Sequence, residues 1–313
     1  METNKTVNCV NIAYVFKTSL GSINGSWTEG NVSTVKKITL PNGTQIPYVS
    51  GQSLKYQIRK AWKEMGLADK LSEVKQAEKK AGVDFTSGEP NLYLDDDLLG
   101  YMIASTGENR RRTAVVRTSA AIGLFPFRND RDLGTKSKEE TGGDVSAGGN
   151  IFETEIYYNY FRVNILVELD RLGVFQDFEL AKANKGKTPP LTSEQKKERL
   201  NYLLKALSHI WGGGKQSRLL TDMSPKFLAI TFQNTKSPIF LETLAVSESE
   251  ELNTKAINEV LTGNSRIIEK QLLGVQSGIF KNDDEIIKLS EITDIQTTFS
   301  NAVKYINEEL FKQ

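Results

Sequence analysis

Apolar and polar residues alternate along residues 7–18, VNCVNIAYVFKT, and this period of two predicts a β-strand. Its better-buried face would carry Val10, Ile12, Tyr14 and Phe16. The same alternation recurs at 157–169, YYNYFRVNILVEL, the strongest strand signal in the chain, and strand character also marks RTAVVRTSA at 112–120 and PKFLAITFQ at 225–233.

Helical spacing of apolar residues marks two further segments. In SGQSLKYQIRKAWKEMG, residues 50–66, one helical face would carry Leu54, Ile58, Ala61, Trp62 and Met65, and the final glycine is a natural stop. Thr192 and Gln195 form a predicted capping box for the second helix. The buried face of that helix would carry Leu200, Leu203, Leu204 and Leu207.

The order of these elements predicts the fold class. A charged, turn-rich insertion follows the first helix, and residues 121–150 form a long glycine-rich segment of the kind that is usually functional. Without these insertions the order is βαββαβ, the ferredoxin-like or RRM-like plan of an α+β protein, whose sheets commonly bind single-stranded RNA. We expect residues 246–313 to be mostly helical and to pack against the sheet or a neighbouring molecule.

The composition excludes several classes of protein. No stretch approaches the ~18 consecutive apolar residues of a membrane span, and the N-terminus has no apolar signal core. Cys9 and His209 are the only cysteine and the only histidine, so an internal disulfide and a zinc ligand set are excluded. We therefore expect a cytoplasmic protein with no cofactor.

Charge is unevenly distributed along the chain, although the net charge is only +1. Residues 246–313 contain 12 acidic and 7 basic residues, a net of −5, so the first 245 residues carry a net of +6. Basic residues gather in KYQIRKAWK, NRRRTAVVR and GGGKQSR. This distribution suits a protein that holds an anionic polymer and contacts copies of itself, with ordinary solvated surface charge as the alternative.

The stretch HIWGGGKQSR, residues 209–218, invites comparison with phosphate-binding loops. A nucleotide-binding P-loop needs a strand before it, a helix after it, and Ser or Thr after the lysine. Here a predicted helix precedes the glycines, a strand follows them, and Gln216 follows the lysine, so this comparison fails. Two interpretations remain: a long glycine C-cap, or a loop whose backbone and basic residues approach an extended phosphate chain.

Six segments stand in a specific order within about residues 5–235: NGSW, SGQSLKYQIRKAW, DDDLLGYM, RTSAAIGLFPF, ETEIYYNYFRVNILVELDRLG and HIWGGGKQSR. In order and spacing they resemble the CRISPR-associated DevR-type backbone subunits of type I Cascade effector complexes, with I-B as the expected subtype. Residues 246–313 add no distinctive motif to this resemblance.

The resemblance implies a shape like a right hand. The palm would comprise 1–66, 112–120 and 151–245, with fingers at 67–111, a thumb at 121–150, and a C-terminal part at 246–313 packed on the palm. Copies would polymerise along the spacer of a guide RNA (crRNA), each thumb displacing bases periodically, and the other bases would pair with target DNA. The implied partners are crRNA, further copies of the chain, other Cascade subunits and target DNA, and the implied protein is not an enzyme.

A protein that holds an RNA backbone needs phosphate contacts without base preference. The candidate residues for such contacts are Asn24, Ser53, Lys55, Arg59, Arg117, Lys215, Gln216 and Arg218. The alternatives are a solvated face for the two helix cations, an internal ion pair for the strand arginine, and a cap or turn role for the asparagine and the serine.

Two further features concern displaced bases and metal ions. Phe125 and Phe127 are candidates for the wedge that replaces base stacking in the thumb, or else they anchor the root of that loop in the core. The run Asp95, Asp96 and Asp97 suits a solvated acidic turn. Metal binding by that run would instead favour a metal-dependent endoribonuclease that resembles type III backbone subunits.

Overall fold

The computed structural model describes residues 6–75, 84–105, 108–136 and 150–312 of the chain, a mixed α+β fold with several sheets and few helices. The strands are β1 (Cys9–Gly21), β2 (Gly25–Glu29), β3 (Val32–Val35), β4 (Lys37–Thr39), β5 (Gln45–Val49), β6 (Tyr101–Ser105), β7 (Glu108–Arg112), β8 (Val116–Thr118), β9 (Ala121–Gly123), β10 (Arg131–Lys136), β11 (Asn150–Glu155), β12 (Tyr157–Glu168), β13 (Phe227–Gln233), β14 (Ile268–Val275) and β15 (Ile292–Thr293). The helices are α1 (Gly51–Glu64), α2 (Leu94–Leu98), α3 (Ser193–Ser208), α4 (Thr254–Gly263), α5 (Asp283–Ile286) and α6 (Ile295–Tyr305), with a 3₁₀ turn at Ala68–Lys70 and a π-helical turn at Ile306–Leu310.

The main sheet is built around β1, which pairs antiparallel with two strands. Ile12 lies opposite Ile165 of β12 on one side and opposite Ile230 of β13 on the other. β8 and β9 pair antiparallel with the far edge of β12, and the full order is β15-β14-β13-β1-β12-β9-β5-β4 with β8 beside β12. The four strands predicted from the sequence, β1, β8, β12 and β13, are therefore neighbours in one sheet.

Both faces of this sheet are covered. On one face, Val10, Ile12, Tyr14 and Phe16 pack with the apolar stripes of α1 and α3, as predicted, and Phe16 stacks on Phe161 with ring centroids 5.0 Å apart. The opposite face packs against Phe240 and Leu244 and against apolar residues of the C-terminal part, including Ile257, Leu261, Phe280 and Ile286. Apolar side chains of the C-terminal part thus contribute to the cover of this face.

The expectation that residues 246–313 are mostly helical is wrong. Although α4, α5 and α6 lie there, β14 pairs antiparallel with β13 and widens the sheet, with Leu272 opposite Ile230. Leu272 and the adjacent Leu273 are both buried, on opposite faces of the sheet. A strand that is covered on both faces shows no alternation of apolar and polar residues, so its period of two is hidden in the sequence.

The two helix predictions are confirmed in detail. The α1 stripe is buried at Leu54, Ile58, Ala61 and Trp62, and the following Gly66 has φ +80°. Thr192 caps α3 in a complete capping box, in which its side chain accepts a hydrogen bond from the Gln195 backbone and the Gln195 side chain accepts one from Thr192.

A second, four-stranded sheet has the order β10-β11-β3-β2. β10 and β11 pair antiparallel, with Leu133 opposite Glu153, and β11 runs parallel to β3. These strands flank residues 137–149, so the middle of the predicted glycine-rich thumb lies outside the described residues. The roots of that segment belong to this sheet and to β9 of the main sheet.

The acidic run of α2 is buried, so the solvated turn expected for it is wrong. Asp97 has no exposed surface and accepts hydrogen bonds from Arg112 and Arg199, each at 2.5 Å. Arg112 also donates to Glu179 at 2.5 Å. A buried carboxylate requires an opposite charge, which the arginines supply. The resulting pairs connect α2 to β7, to α3 and to the loop after β12.

The remaining two aspartates of α2 are buried in different ways. Asp95 accepts from Arg59 of α1 at 2.7 Å and from the Ser72 backbone at 2.8 Å. Asp96 accepts from the Glu89 backbone at 2.8 Å, and burial raises the pKa of its carboxyl group. The insertion at 67–111 is thus fixed onto the helical layer by charge pairs in addition to apolar contacts.

None of the helices in the described part of the chain combines the length and the apolar character that a membrane crossing requires.

We predict that Arg112→Met lowers the free energy of unfolding by about 3–5 kcal/mol, because it leaves two buried carboxylates short of a partner. Urea unfolding would measure the change. The control is Lys255→Met, since Lys255 is 86% exposed and lies 3.9 Å from Glu259. Unfolding midpoints that coincide for both variants would show that the buried network does not stabilise the fold.

Candidate nucleic-acid interface

The glycine loop, as we call residues 209–218, lies in a closed hairpin between α3 and β13. Trp211 forms an antiparallel bridge with Asp222, and the Gly212 N–H donates to the Thr221 carbonyl at 3.1 Å. α3 ends at Ser208, and His209 is its C-cap with φ −132°. The helix therefore ends three residues before the glycines, and the interpretation of these glycines as a C-cap is wrong.

Each of the three glycines is needed for a close approach to another segment. A Cβ on Gly212 would lie 2.2 Å from Gln57 Oε1, and one on Gly213 would lie 2.6 Å from Ile23 Cγ2. A Cβ on Gly214 would lie 2.7 Å from the Ser22 carbonyl oxygen. Because Gly212 and Gly213 also have φ values of +133° and +107°, these positions favour glycine in conformation as well as in space.

After the glycines, a short turn presents free backbone donors. Lys215 has φ +58°, and its carbonyl accepts from the N–H groups of Arg218 and Leu219, both at 2.9 Å. The N–H groups of Lys215, Gln216 and Ser217 have no acceptor among the described residues. Successive unpaired N–H groups beside a residue in the left-handed region form a concavity that suits an anion.

The side chains of this turn differ in their engagement. Lys215 Nζ lies 3.4 Å from Ser33 Oγ and pairs with no acid in the part of the chain that is described. Gln216 Oε1 accepts from the Thr221 N–H at 3.3 Å, which fixes the turn. Arg218 pairs with Asp132 at 3.0 Å and lies over the Phe152 ring at 5.0 Å, so its charge is partly neutralised on the second sheet.

The start of α1 lies beside the same loop, and two predicted residues take part in its capping. Ser50 is the N-cap, and its side chain accepts from the Ser53 N–H at 3.3 Å. Asn24 Oδ1 accepts from the Ser50 N–H at 2.9 Å. The cap and turn roles considered for Asn24 and Ser53 are thus observed for the Asn24 side chain and the Ser53 backbone. Their predicted RNA contacts stay predictions.

Two cations flank this helix start. Lys55 donates to the Leu99 carbonyl at 3.3 Å, and burial, with a smaller effect of the nearby Arg117 charge, lowers the pKa of its ammonium group. Arg117 is half exposed and pairs with Glu168 at 2.6 Å. Burial opposes ionisation of Glu168, but hydrogen bonds from Arg171 and Arg117 hold the pKa of its carboxyl group below its usual value.

Arg59 faces a different environment from Lys55. Its guanidinium group is mostly buried, pairs with Asp95 and donates to the Ser72 carbonyl. The two candidate cations of α1 therefore differ, because Lys55 has no acidic partner among the described residues and Arg59 is neutralised. An RNA contact of Arg59 stays a prediction.

The two phenylalanines at the root of the predicted thumb both pack on protein. Phe127 is buried beneath Lys37, whose Nζ lies 4.3 Å from the ring centroid. Phe125 stacks against Tyr158 with centroids 6.5 Å apart and meets Tyr160 edge-on at 5.6 Å. These contacts match the alternative in which the rings anchor the loop root, and their role in displacing bases stays a prediction.

One backbone segment joins these features into a single surface. In residues 22–24, the Ile23 carbonyl accepts a hydrogen bond from the Gly214 N–H at 2.6 Å. The Asn24 side chain accepts one from Ser50, the N-cap residue of α1. Gly51 of α1 in turn abuts β8, since a Cβ there would lie 2.9 Å from the Thr118 carbonyl. We call these adjoining segments, residues 22–24, 50–55, 117–119 and 212–218, the polar rim, in which Ser22, Ile23 and Leu54 are buried.

Sequence reasoning missed Ile23 and Gln57, which seat the glycines, because an isoleucine in a turn and a glutamine in a helix carry no distinctive signal. The polar rim offers cations and backbone donors, and the oxygens of its two amide side chains, Asn24 and Gln216, already accept hydrogen bonds from the backbone. The polar rim therefore suits electrostatic binding of an extended phosphate backbone.

Among the described residues no group of three or more His, Cys, Asp or Glu side chains could hold a metal ion.

We predict that Gly213→Ala lowers the free energy of unfolding by roughly 1–3 kcal/mol, because the new methyl group meets Ile23 at a strained φ. Gly263→Ala is the control, since no atom lies within 4 Å of a Cβ at that helix end. Denaturant unfolding measures both variants. Equal midpoints for the two variants would mean that the loop is not seated as described.

Comparison with known proteins gives a family match and several structural matches. Residues 12–251 match the family model described as CRISPR-associated negative auto-regulator DevR/Csa2. The chain is 27% identical over 175 residues to the CRISPR-associated protein Cas7/Cst2/DevR of Myxococcus xanthus (strain DK1622), a match that covers 51% of this chain and 58% of that relative. The aligned part thus spans little more than half the length of the relative.

Two solved structures share the fold across nearly the whole chain. A chain of a CRISPR RNA-guided surveillance complex in a pre-nicking state matches with a TM-score of 0.60 and 14% identity, over 95% of this chain and all of that one. A chain of another CRISPR RNA-guided surveillance complex matches with a TM-score of 0.58 and 17% identity, over 95% and 98%. At these identities the likeness is one of fold.

Proposed function

The chain belongs to the CRISPR-associated DevR/Csa2 family, and we propose that it is a non-catalytic backbone subunit that binds guide RNA in a Cascade-type surveillance complex. The observation that carries this proposal is the polar rim. Its glycine loop brings unpaired backbone donors at Lys215–Ser217 and the charge of Lys215 to one surface. The two structural relatives, which are chains of CRISPR RNA-guided surveillance complexes, support the same role.

The palm of this subunit would be the group of strands β13-β1-β12-β8 with α1 and α3. That strand order, with every neighbouring pair antiparallel, is the one that a ferredoxin-like βαββαβ unit requires. In this arrangement the fingers are the insertion at 67–111, and the thumb is the segment whose roots are β10 and β11. For palm, fingers, thumb and C-terminal part, the proposal adopts the boundaries expected from the sequence.

Binding in this scheme depends on the phosphates and not on the bases. Lys55, Arg117, Lys215 and Arg218 provide positive charge along the polar rim, and Asn24 and Ser53 provide nearby polar groups. Backbone contacts of this kind bind any guide sequence, so base pairing between guide and target DNA supplies the specificity. Further copies would bind in succession along the same RNA, with the thumb displacing bases at regular intervals.

We predict that Lys215→Ala combined with Arg218→Ala weakens binding of single-stranded RNA and flattens the plot of log K against log[salt] by roughly 1.4. Each lost phosphate contact on a single strand removes roughly 0.7 from that slope. Fluorescence anisotropy over a series of salt concentrations measures the slope. The loss should be the same for unrelated RNA sequences.

The matched control removes two exposed lysines from the C-terminal part, Lys255→Ala with Lys312→Ala. This variant has the same net charge as the test variant. Equal slopes for the two variants, both with intact unfolding curves, would contradict the assignment of the phosphate contacts to the glycine loop.

The absence of catalysis is part of the proposal, and the acidic run of α2 is its most direct test. Asp95 and Asp97 are bound to arginines and are therefore unfavourable metal ligands. We predict that labelled target RNA, incubated with the guide-loaded protein and Mg²⁺, stays uncut, as in a parallel reaction with EDTA. Regularly spaced, Mg²⁺-dependent cuts would instead support the endoribonuclease alternative.

A further inference from the structure

A half-open cleft of about 390 Å³ lies at the beginning of β12, where the hydroxyl group of its lining residue Tyr157 accepts a hydrogen bond from the Ile23 N–H of the polar rim at 3.0 Å. Its apolar wall is formed by the stacked rings of Phe125 and Tyr158, and Tyr158 keeps 41% of its surface exposed. The opposite wall comes from the C-terminal part, at Glu248 and Glu250. Volumes of this size are typical of sites that receive a group of side chains or a small ligand.

The charge of this cleft favours a cationic occupant. Three carboxylates, Asp130, Glu248 and Glu250, line it together with one arginine, Arg128. Glu250 accepts from the Tyr158 hydroxyl and lies 3.6 Å from Lys17. Asp130 and Glu248 have no ion-pair partner in the described ranges. The two unpaired carboxylates and the aromatic faces attract ammonium groups, and the Lys17 ammonium group already lies 5.2 Å from the Tyr158 ring centroid.

A segment with the complementary character lies in the loop that leads to α3. Residues 181–191, AKANKGKTPPL, contain Lys182, Lys185 and Lys187 and no acid. All three lysines are exposed, and none pairs with an acid among the residues that the structure covers. Of the two acids that precede the segment, Asp177 accepts from the Gly186 N–H at 2.8 Å and Glu179 pairs with Arg112 at 2.5 Å.

This lysine loop is held in one conformation before any partner binds. Asn184 Nδ2 donates to Glu89 at 3.0 Å, and the Asn184 carbonyl accepts from the Thr188 hydroxyl at 3.1 Å. The Leu191 N–H donates to the Gly173 carbonyl at 2.8 Å, which closes the base of the loop. Beside it, Phe178 exposes 59% of its surface, an apolar contact for an aromatic wall.

The cleft and the lysine loop lie at opposite ends of the same strand. The cleft is lined by Tyr157 and Tyr158 at the start of β12, and the loop follows Glu168 at its end. At about 3.3 Å per residue, this strand separates them by roughly 40 Å. They cannot meet within one copy, but they can meet between copies in a head-to-tail contact, which generates an open filament when the rotation does not close.

We propose that the acidic aromatic cleft at the start of β12 receives the lysine loop, residues 181–191, of a second copy of this chain. The contact is head-to-tail and sets the order of copies along the guide. The inference deepens the proposed function, on which it rests, because it names the surfaces that join successive copies.

The test is a charge exchange between the two surfaces. Glu248→Lys with Asp130→Lys, or Lys182→Glu with Lys185→Glu, should each lower the cooperativity of binding to a guide that is long enough for several copies, on the order of tenfold. Affinity for an RNA that holds one copy should not change. A chain that carries both pairs of reversals should recover the cooperativity.

The matched controls reverse charges on α4, Glu259→Lys and Lys255→Glu, and should retain the wild-type cooperativity. Reversals that each reduce cooperativity without mutual rescue would overturn the pairing of cleft and loop. Loss of single-copy RNA affinity on reversal of the lysines would overturn it too, because the loop would then bind nucleic acid. Failure of the wild-type chain to bind single-copy RNA would refute the proposed function itself.

A cross-linking experiment tests the contact independently of affinity. Cys9 is buried, so new cysteines at exposed positions dominate the reactivity. Copies with Glu248→Cys, mixed with copies with Lys185→Cys on the long guide and oxidised, should form a disulfide-linked dimer of the two variants. Copies with Lys255→Cys should not link to Glu248→Cys. A mixture that gives no more dimer than this control would overturn the proposal.

Discussion

The close approach between the glycine loop and residues 22–24 is the constraint on which the arrangement of the site depends. The Gly214 N–H reaches the Ile23 carbonyl at 2.6 Å, and the glycines leave no room for a Cβ against Gln57 and Ile23. That contact fixes the positions of the end of α3, the loop after β1 and the start of α1 relative to one another. The unpaired donors at Lys215–Ser217 therefore project from a seated loop, so little conformational entropy is lost on binding.

Desolvation divides the charged residues of this chain into two groups with different roles. Arg112, Arg199 and Arg59 lie mostly inside the protein, where they neutralise the aspartates of α2 and fix the insertion to α1 and α3. Exposed cations such as Lys215 and the lysines of residues 181–191 have no such partner in the described part of the chain. Only the second group can attract an anionic polymer or an acidic surface at little desolvation cost.

Much of the main sheet could be predicted from the sequence, because its strands and helices carry clear periods. The alternation at 157–169 and the capping box at Thr192 each led to the correct element. The period failed at β14, which is covered on both faces. Charge gave less information: the sequence of DDD does not reveal that Arg112 and Arg199, distant in sequence, converge on it. The glycine loop was found from its composition, whereas its seat on Ile23 and Gln57 depends on tertiary contacts.

Direct contact between RNA and the polar rim is best tested by photo-cross-linking. Guide RNA with 4-thiouridine at successive positions would be bound, irradiated and digested, and the modified peptides identified by mass spectrometry. A guide-binding backbone subunit should give cross-links in residues 50–55, 117–119 and 212–218. Cross-links confined to α4 and the adjoining C-terminal residues, with none on the polar rim, would contradict the proposed binding surface.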